Sequence, residues 1–288
     1  MKPRLILGSA NFGAPYGLKN RGINEVSKSD LELLSENFKK FNIKDIDTAA
    51  DYEGSHEILG SYFSKNEEIA YFTKFGQKSY SSVSNFEKAM KKSLKLLKRD
   101  KLQGVALREF SEADSEIQVK IVKYLQNLKE KGVLSTFGIT VYDSQELRKL
   151  GKKLAYFDYI QVPENIADRR LINNPLMMDI VSEGIDIQVR SIFLQGLLIK
   201  PINEIPSRFR EANKVFESLN ELACSRRETM LQLAVNYASS IKWSTGIVLG
   251  ISSVKDLIEI VDAMENSRSV EIYDLPTSPA WILDPRQW

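Results

Sequence analysis

The chain has 288 residues, of which 43% are hydrophobic and 27% charged, a composition typical of a globular protein with a sizeable core. Its 40 basic and 38 acidic residues give a formal net charge of +2 and are interspersed, so no nucleic-acid partner is expected. No stretch reaches the roughly 20 apolar residues that cross a bilayer, so no membrane partner is expected either.

Cysteine usage and the first residues indicate the compartment. The single cysteine, Cys224, excludes a disulfide framework within the chain, and its helical, apolar surroundings predict a small core residue. The opening MKPRLILGSANFG has too short an apolar run for a signal peptide. We therefore expect a reducing, cytoplasmic location.

Short apolar runs alternate with longer stretches of helical periodicity along the chain. Strands are predicted at residues 5–7, 43–46, 69–73, 102–107, 136–139, 159–162, 186–189 and 246–249. Helices are predicted at residues 29–41, 55–63, 84–97, 116–131, 144–150, 176–182, 207–224, 227–240 and 255–264. This alternation predicts βαβ units and a parallel sheet. Eight such units in this length predict an α/β fold, a single-domain (β/α)8 TIM barrel over residues 1–288.

Three local features refine this picture. Ser84 and Glu87 have the spacing of a capping box at the start of the third helix. The loop at residues 199–206, which contains two prolines, is a candidate lid. The tail at residues 274–288 is too apolar for a free end, and we expect it to pack back on the barrel.

Three titratable residues lie where two neighbouring strands end. Asp47 follows the second strand, Tyr52 lies on the next loop, and Lys74 follows the third strand. Taken singly, a cap, a partly buried aromatic and a surface lysine are the common interpretations. Because the carboxyl ends of barrel strands meet at one mouth, the three should converge. A free phenol has a pKa of about 10, which a nearby ammonium lowers, and Asp47 would hold that ammonium.

The stretch DTAADYEGSHEILG, with KFG after the next strand, resembles the signature of the aldo-keto reductase family, and the likeness extends over most of the chain. The resemblance implies NADP-dependent reduction of a small carbonyl compound, with NAD not excluded. It assigns Tyr52 as general acid, Lys74 as the residue that tunes it, and Asp47 as the partner of Lys74. Two alternatives stay open: a cofactor-binding barrel that serves as a sensor or partner subunit, and a phosphate-binding lyase or isomerase.

The sequence departs from the family at the end of the fourth strand, where KLQGVALREF places Arg108 in the position of a catalytic His. The only histidine, His56, lies elsewhere. Arg108 cannot shuttle protons, but it can hydrogen-bond a substrate oxygen and act as a second cation beside Tyr52. Glu109 is the alternative inward-pointing residue. The departure predicts an altered substrate, an altered reaction or lost activity.

Several further stretches resemble the cofactor-binding blocks of the family. GSANFG would approach the nicotinamide, Gln161 its carboxamide, and Arg190 would stack on the ring in place of a Tyr. Free N–H groups at the start of the last helix are expected to bind phosphate, although helix capping is the plainer interpretation. No metal site is predicted. The cofactor-binding residues implied are Gly8, Ser9, Ala10, Thr140, Gln161, Arg190, Ser191, Phe193, Gln195, Gly196, Gly250, Ser252, Ser253, Lys255 and Glu259.

The substrate is indicated only by finer likenesses. LILGSANFGAPYGLKNRG, QVPENIADRR and VRSIFLQGLL resemble bacterial members linked to sugar and surface-polysaccharide synthesis. This implies a sugar-like carbonyl substrate. Arg108, Arg190 and the pair Arg169 and Arg170 are candidates to meet an acidic or nucleotide-linked group. The sequence does not decide between a monomer and a homo-oligomer.

Overall fold

Eight parallel strands pair in sequence order and close into a barrel, with the first strand hydrogen-bonded to both the second and the eighth. The computed structural model describes residues 2–17, 25–38, 40–270, 275–276 and 278–288. The predicted (β/α)8 TIM barrel is therefore confirmed. The strands are β1 Arg4–Gly8, β2 Asp45–Asp47, β3 Ala70–Phe75, β4 Leu102–Arg108, β5 Leu134–Thr140, β6 Tyr159–Pro163, β7 Asp186–Arg190 and β8 Gly246–Gly250.

Helices lie between successive strands and cover the outside of the barrel. They are α1 Lys28–Asn37, α2 Ser55–Tyr62, α3 Val83–Leu97, α4 Ser115–Glu130, α5 Ser144–Leu150, α6 Pro175–Ser182, α7 Asn213–Arg226, α8 Met230–Ser239, α9 Val254–Glu265 and α10 Ala280–Leu283. No helix within the described ranges is long and apolar enough to cross a membrane.

Strand alternation sends one set of side chains to the helices and the other into the barrel. On β3, Tyr71 joins the large core beneath the helices, whereas Phe72 forms a separate buried cluster with Ala106 and Tyr159. The rings of Phe72 and Tyr159 meet edge to face with centroids 5.7 Å apart. Lys74 lies two residues after Phe72 and shares its face, because side chains alternate along a strand. The barrel interior is thus apolar below and charged at the mouth.

Some predicted details are wrong. The cap of α3 is Ser82, whose hydroxyl accepts from the Asn85 N–H, because the serine immediately before the helix takes that position. Glu87 instead pairs with Lys91 at 2.6 Å. Cys224 is exposed, because it falls one residue beyond the buried face of α7. The first six residues of the predicted helix 207–224 form a separate 3-10 turn.

The described part of the tail packs against the barrel's helical layer. The rings of Trp281 and Trp288 lie 5.9 and 4.9 Å from that of Phe209, centroid to centroid. Residues 274 and 277 of the predicted tail, and residues 18–22 of the likeness LILGSANFGAPYGLKNRG, lie outside the described residues. The candidate lid contains a 3-10 turn at Ile202–Glu204.

Candidate active site

A buried ion pair lies at the carboxyl ends of β2 and β3. The Lys74 ammonium donates to one Asp47 oxygen, and the two side chains are 6% and 4% exposed. The other Asp47 oxygen accepts from the Gln161 amide at 2.8 Å, and that amide also donates to Gln188 at 2.9 Å. Both carboxylate oxygens are therefore engaged. Burial lowers the pKa of Lys74, and the charge of Asp47 acts against that fall.

Tyr52 lies beside this pair, with the Lys74 nitrogen 5.3 Å from the centroid of its ring. In the part of the chain that is described, its hydroxyl has no hydrogen-bond partner. Burial, then the negative charge of Asp47, raises the pKa of Tyr52, and the charges of Arg190 and Arg108 oppose the rise. The predicted interaction of Lys74 with the Tyr52 phenol is therefore not a hydrogen bond in this structure. Arg108 lowers the pKa of Tyr52, which is the predicted direction.

Glycine contacts hold the loop that carries Tyr52. Gly54, the N-cap residue that precedes α2, has a left-handed backbone conformation, with φ of 67°. A Cβ on Gly13 would lie 2.3 Å from the Glu53 carbonyl oxygen, so only glycine fits there. The GSANFG stretch and the Tyr52 loop therefore touch backbone to backbone.

Arg108 closes β4 and points toward this mouth. Its guanidinium bonds the Asp51 carboxylate, while its Nε is buried without a partner. A Cβ on Gly76 would lie 3.0 Å from its Nη2, so the glycine of KFG makes room for the guanidinium. The Glu109 carboxylate instead accepts from the Gln77 N–H at 3.1 Å. Arg108, not Glu109, is the inward-pointing residue.

Arg190, at the end of β7, carries a positive charge that no carboxylate pairs with in the described ranges. It donates to the Ser191 hydroxyl at 3.2 Å and to the Val141 carbonyl at 3.1 Å. Its guanidinium carbon lies 4.4 Å from the centroid of Tyr142, and that of Arg286 lies 3.6 Å from the same centroid. No sequence pattern indicated Tyr142 or Arg286 as residues of the site.

Two connected cavities meet at Tyr52 and Lys74. The first, which we call the long cleft, is lined from these residues to the start of α9. The second, the side pocket, adds Asp51, Glu53 and Arg108 to its walls. Predicted residues that line the long cleft are Gly8, Ala10, Asp47, Tyr52, Lys74, Arg190, Ser191, Phe193, Gln195, Gly196, Gly250 and Ser252.

Other predicted residues do not line the long cleft. Thr140 lines the side pocket. Ser9 is buried and bonds Ser55 at 2.8 Å. Lys255 is exposed and, like Glu259, contributes nothing to the wall. Residues that line the cleft without being predicted include Asn11, Tyr16, Tyr142, Leu231, Asp256 and Ile260.

The predicted phosphate site at the start of α9 is wrong in one respect: its N–H groups are not free. Asp256 accepts from the Ser252 N–H at 2.8 Å and from the Ser253 N–H at 3.1 Å. Ser253 is the N-cap, and Asp256 completes a capping box with it. The S-x-x-D pattern in GISSVKD was the available signal for this arrangement.

Among the described residues, the Thr140 hydroxyl, which lines the side pocket, is buried without a hydrogen-bond partner and is available to a ligand. The carbonyl oxygen of the predicted Gln161 amide is also unpartnered, but Gln161 is fully buried and lines neither cavity. His56, by contrast, bonds the Thr73 hydroxyl at 3.1 Å, and burial lowers its pKa to about 4. It is a neutral core residue.

Comparison with known proteins gives one family. Residues 4–274 match the model of the Aldo/keto reductase family. A search of curated proteins found no match. An aldo-keto reductase from Bacillus halodurans, solved in its holo form, is 18% identical, with a TM-score of 0.74 over 93% of this chain and 88% of that one. A protein of Pseudomonas aeruginosa, provisionally assigned as an aldo-keto reductase, is 17% identical, with a TM-score of 0.66 over 92% and 91%.

Proposed function

The chain belongs to the aldo/keto reductase family and is an oxidoreductase, and on this premise we propose that it reduces a small carbonyl compound to an alcohol with Tyr52 as proton donor. The observation that carries the proposal is the position of Tyr52. It lies where the long cleft and the side pocket meet, beside the buried pair of Lys74 and Asp47. Family membership sets aside the lyase and isomerase alternative.

The long cleft is the proposed site of a nicotinamide dinucleotide, the type of cofactor this family uses, NADP in the usual case. The unpartnered Thr140 hydroxyl, which lines the adjoining side pocket, suits its carboxamide, and the planar guanidinium of Arg190, which lines both cavities, suits the face of its ring. Gly8 and Gly250 line the cleft and have no side chain that would narrow it. When bound, the cofactor supplies the hydride.

The protein's own residues then have to manage a proton and a negative charge. Tyr52 gives its proton to the carbonyl oxygen, which leaves a phenolate. Arg108 and Arg190 stabilise that phenolate, since both lower the pKa of Tyr52. The Lys74 charge is held by Asp47, so this pair fixes the geometry of the mouth. Arg108 stays protonated throughout and supports negative charge without transferring a proton.

The side pocket supports a polar, sugar-derived aldehyde or ketone as the substrate. Asp51 and Glu53 supply acceptors for hydroxyl groups, and Arg108 supplies donors. Arg190 also lines this pocket and suits an acidic group on the substrate. Arg169 and Arg170 line neither cavity, because Arg170 pairs with Asp168 and Arg169 bonds backbone carbonyls.

A second candidate, a cofactor-binding barrel without turnover, rests on Arg108 in the place of a His and on the absence of a hydrogen bond from Lys74 to Tyr52. Oxidation of NADPH and NADH with a panel of aldehydes and ketoses separates the two. If the protein binds a cofactor but reduces nothing in the panel, the second candidate holds.

The decisive variant is Tyr52→Phe, which removes the proton and keeps the ring. We expect kcat/KM to fall at least ~100-fold, the usual contribution of a positioned acid, with the Kd for cofactor hardly changed. Tyr16→Phe is the matched control, because the Tyr16 ring lies 5.4 Å from that of Tyr52 in the same cleft. Normal turnover by Tyr52→Phe would show that another group donates the proton.

A further inference from the structure

The end of the long cleft at the start of α9 is acidic. Asp256 lines the cleft there together with Ser252 and Ile260, after β8, whereas Tyr52 follows β2 on the other side of β1. Asp30, which precedes Asp256 by more than 200 residues in the chain, accepts from the Val254 N–H at 3.0 Å. The three successive N–H groups at residues 252–254 are thus taken by the carboxylates of Asp256 and Asp30.

These carboxylates have no cationic partner among the described residues. Neither Asp30 nor Asp256 forms an ion pair there with a Lys or Arg. Lys255 adjoins Asp256 in sequence, but it is exposed and lies off the cleft wall. A phosphate entering this end would meet a carboxylate where a phosphate site normally offers free N–H groups and a positive charge.

The two forms of the cofactor differ at the adenosine end, where NADP carries a phosphate on the ribose and NAD a hydroxyl. With the nicotinamide beside Tyr52, the α9 end of the cleft is the part left for adenosine. A carboxylate accepts a hydrogen bond from a ribose hydroxyl and repels a phosphate, as acidic residues do in other NAD sites. A 2′-phosphate therefore does not fit the residues that the structure describes at this end of the cleft.

We propose that this chain selects NAD(H) over NADP(H), and that Asp256 is the residue that determines the choice. The inference rests on the proposed function, because it assumes a nicotinamide cofactor in the long cleft. It departs from the NADP expected of the family. Asp256 excludes the phosphate by its charge, whereas Asp30 holds the Val254 N–H that a phosphate would otherwise use.

Binding, rather than turnover, tests this. The full chain is titrated with NADH and, separately, with NADPH at low salt, and binding is measured by calorimetry. The Kd for NADH should be at least about tenfold lower than the Kd for NADPH. Asp256→Asn should reduce that ratio at least about fivefold, mainly through tighter NADPH binding, since an amide oxygen can still accept from the Ser252 N–H. Asp262→Asn, the same change at an exposed site on the same helix, should leave the ratio unchanged.

The outcomes are distinct. Equal or tighter binding of NADPH by the unsubstituted chain overturns the selectivity and leaves the proposed function intact. An unchanged ratio in Asp256→Asn overturns the role of Asp256. Failure to bind either nucleotide overturns the proposed function, and the selectivity with it. The ratio of the unsubstituted chain decides the selectivity even if the variant does not fold.

Discussion

Replacing Asp47 by Asn should destabilise the protein far more than the loss of one surface charge. The change leaves the Lys74 ammonium buried, at 6% exposure, without its counter-charge. In the variant, the new Nδ2 would lie against the Gln161 Nε2, and both groups are donors. The Gln161 amide would have to turn so that its unpartnered oxygen accepts from that Nδ2. The substitution keeps the shape of the side chain, so its cost is electrostatic.

Two limits give the same magnitude. Breaking a buried ion pair by removing one partner costs about 3–5 kcal/mol. The alternative is that Lys74 gives up its proton, and taking a lysine from an ordinary pKa of about 10.4 to neutrality at pH 7 costs about 4.6 kcal/mol. We therefore expect a loss of about 3–5 kcal/mol in the free energy of unfolding at pH 7.

Urea denaturation followed by circular dichroism measures this, with Asp45→Asn as the matched control. Asp45 lies on the same strand and pairs with Arg4 at 2.8 Å, but the two side chains are 15% and 39% exposed, so this pair is partly solvated. A solvated ion pair is worth about 1 kcal/mol or less. The midpoint should fall by about 1 M urea or more in Asp47→Asn, for a slope of about 3 kcal/mol/M, and barely move in the control.

The pH dependence is a second check on the same variant. Without Asp47, the folded-state pKa of Lys74 falls further below its unfolded value, so the unfolded chain binds more protons. The deficit should therefore shrink as pH rises from 7 toward 9. Equal losses in Asp47→Asn and Asp45→Asn, with no pH dependence, would refute the argument that this pair is a buried, charged one.

Two further outcomes are expected. Arg108→Gln removes a cation that lowers the pKa of Tyr52, so the rise of kcat/KM with pH in the direction of alcohol oxidation should move up by about one pH unit; an unmoved profile would contradict this. Glu164 is buried against the Tyr237 hydroxyl, and burial raises its pKa to about 8. Its folded-state pKa exceeds the unfolded one, so its stability contribution is complete below about pH 4.5 and is lost toward pH 8, by about 1.4 kcal/mol per pH unit. Glu164→Gln should flatten that slope in denaturation midpoints measured between pH 5 and 8, and a retained slope would assign it to another group.

The barrel was predictable because its signal is local and repeated. Each strand is a short apolar run with a helix after it, and eight repeats leave little choice of architecture. The meeting of Asp47, Tyr52 and Lys74 was predictable for the same reason, since barrel closure brings strand ends to one mouth. The errors concern features in which a shift of one or two residues changes the outcome. Ser82 rather than Ser84 caps α3, and Cys224 falls just off the buried face of α7.

Part of the chemistry at the two ends of the cleft comes from contacts between residues distant in sequence, which no single window of sequence predicts. Asp30 reaches the Val254 N–H across 224 residues, and Arg286 reaches Tyr142 from the tail. Such contacts depend on how helices and tail pack around the barrel, which periodicity does not specify. Free N–H groups at the start of α9 were a sound expectation for a helix N-terminus. The carboxylate of Asp256, three residues after the N-cap Ser253, accepts hydrogen bonds there in place of a ligand.

The charges along the cleft argue for a direction as well as a site. At the mouth, Asp47 neutralises Lys74 and Asp51 neutralises Arg108, which leaves the positive charge of Arg190 unbalanced. At the α9 end, the carboxylate of Asp256 is unbalanced instead. The positive charges of Arg190 and Arg108 favour the proposed step in which Tyr52 becomes a phenolate, because both lower the pKa of Tyr52. An Arg in place of a His suits the proposed step, because it adds a lasting positive charge near Tyr52 and leaves the donation of the proton to Tyr52.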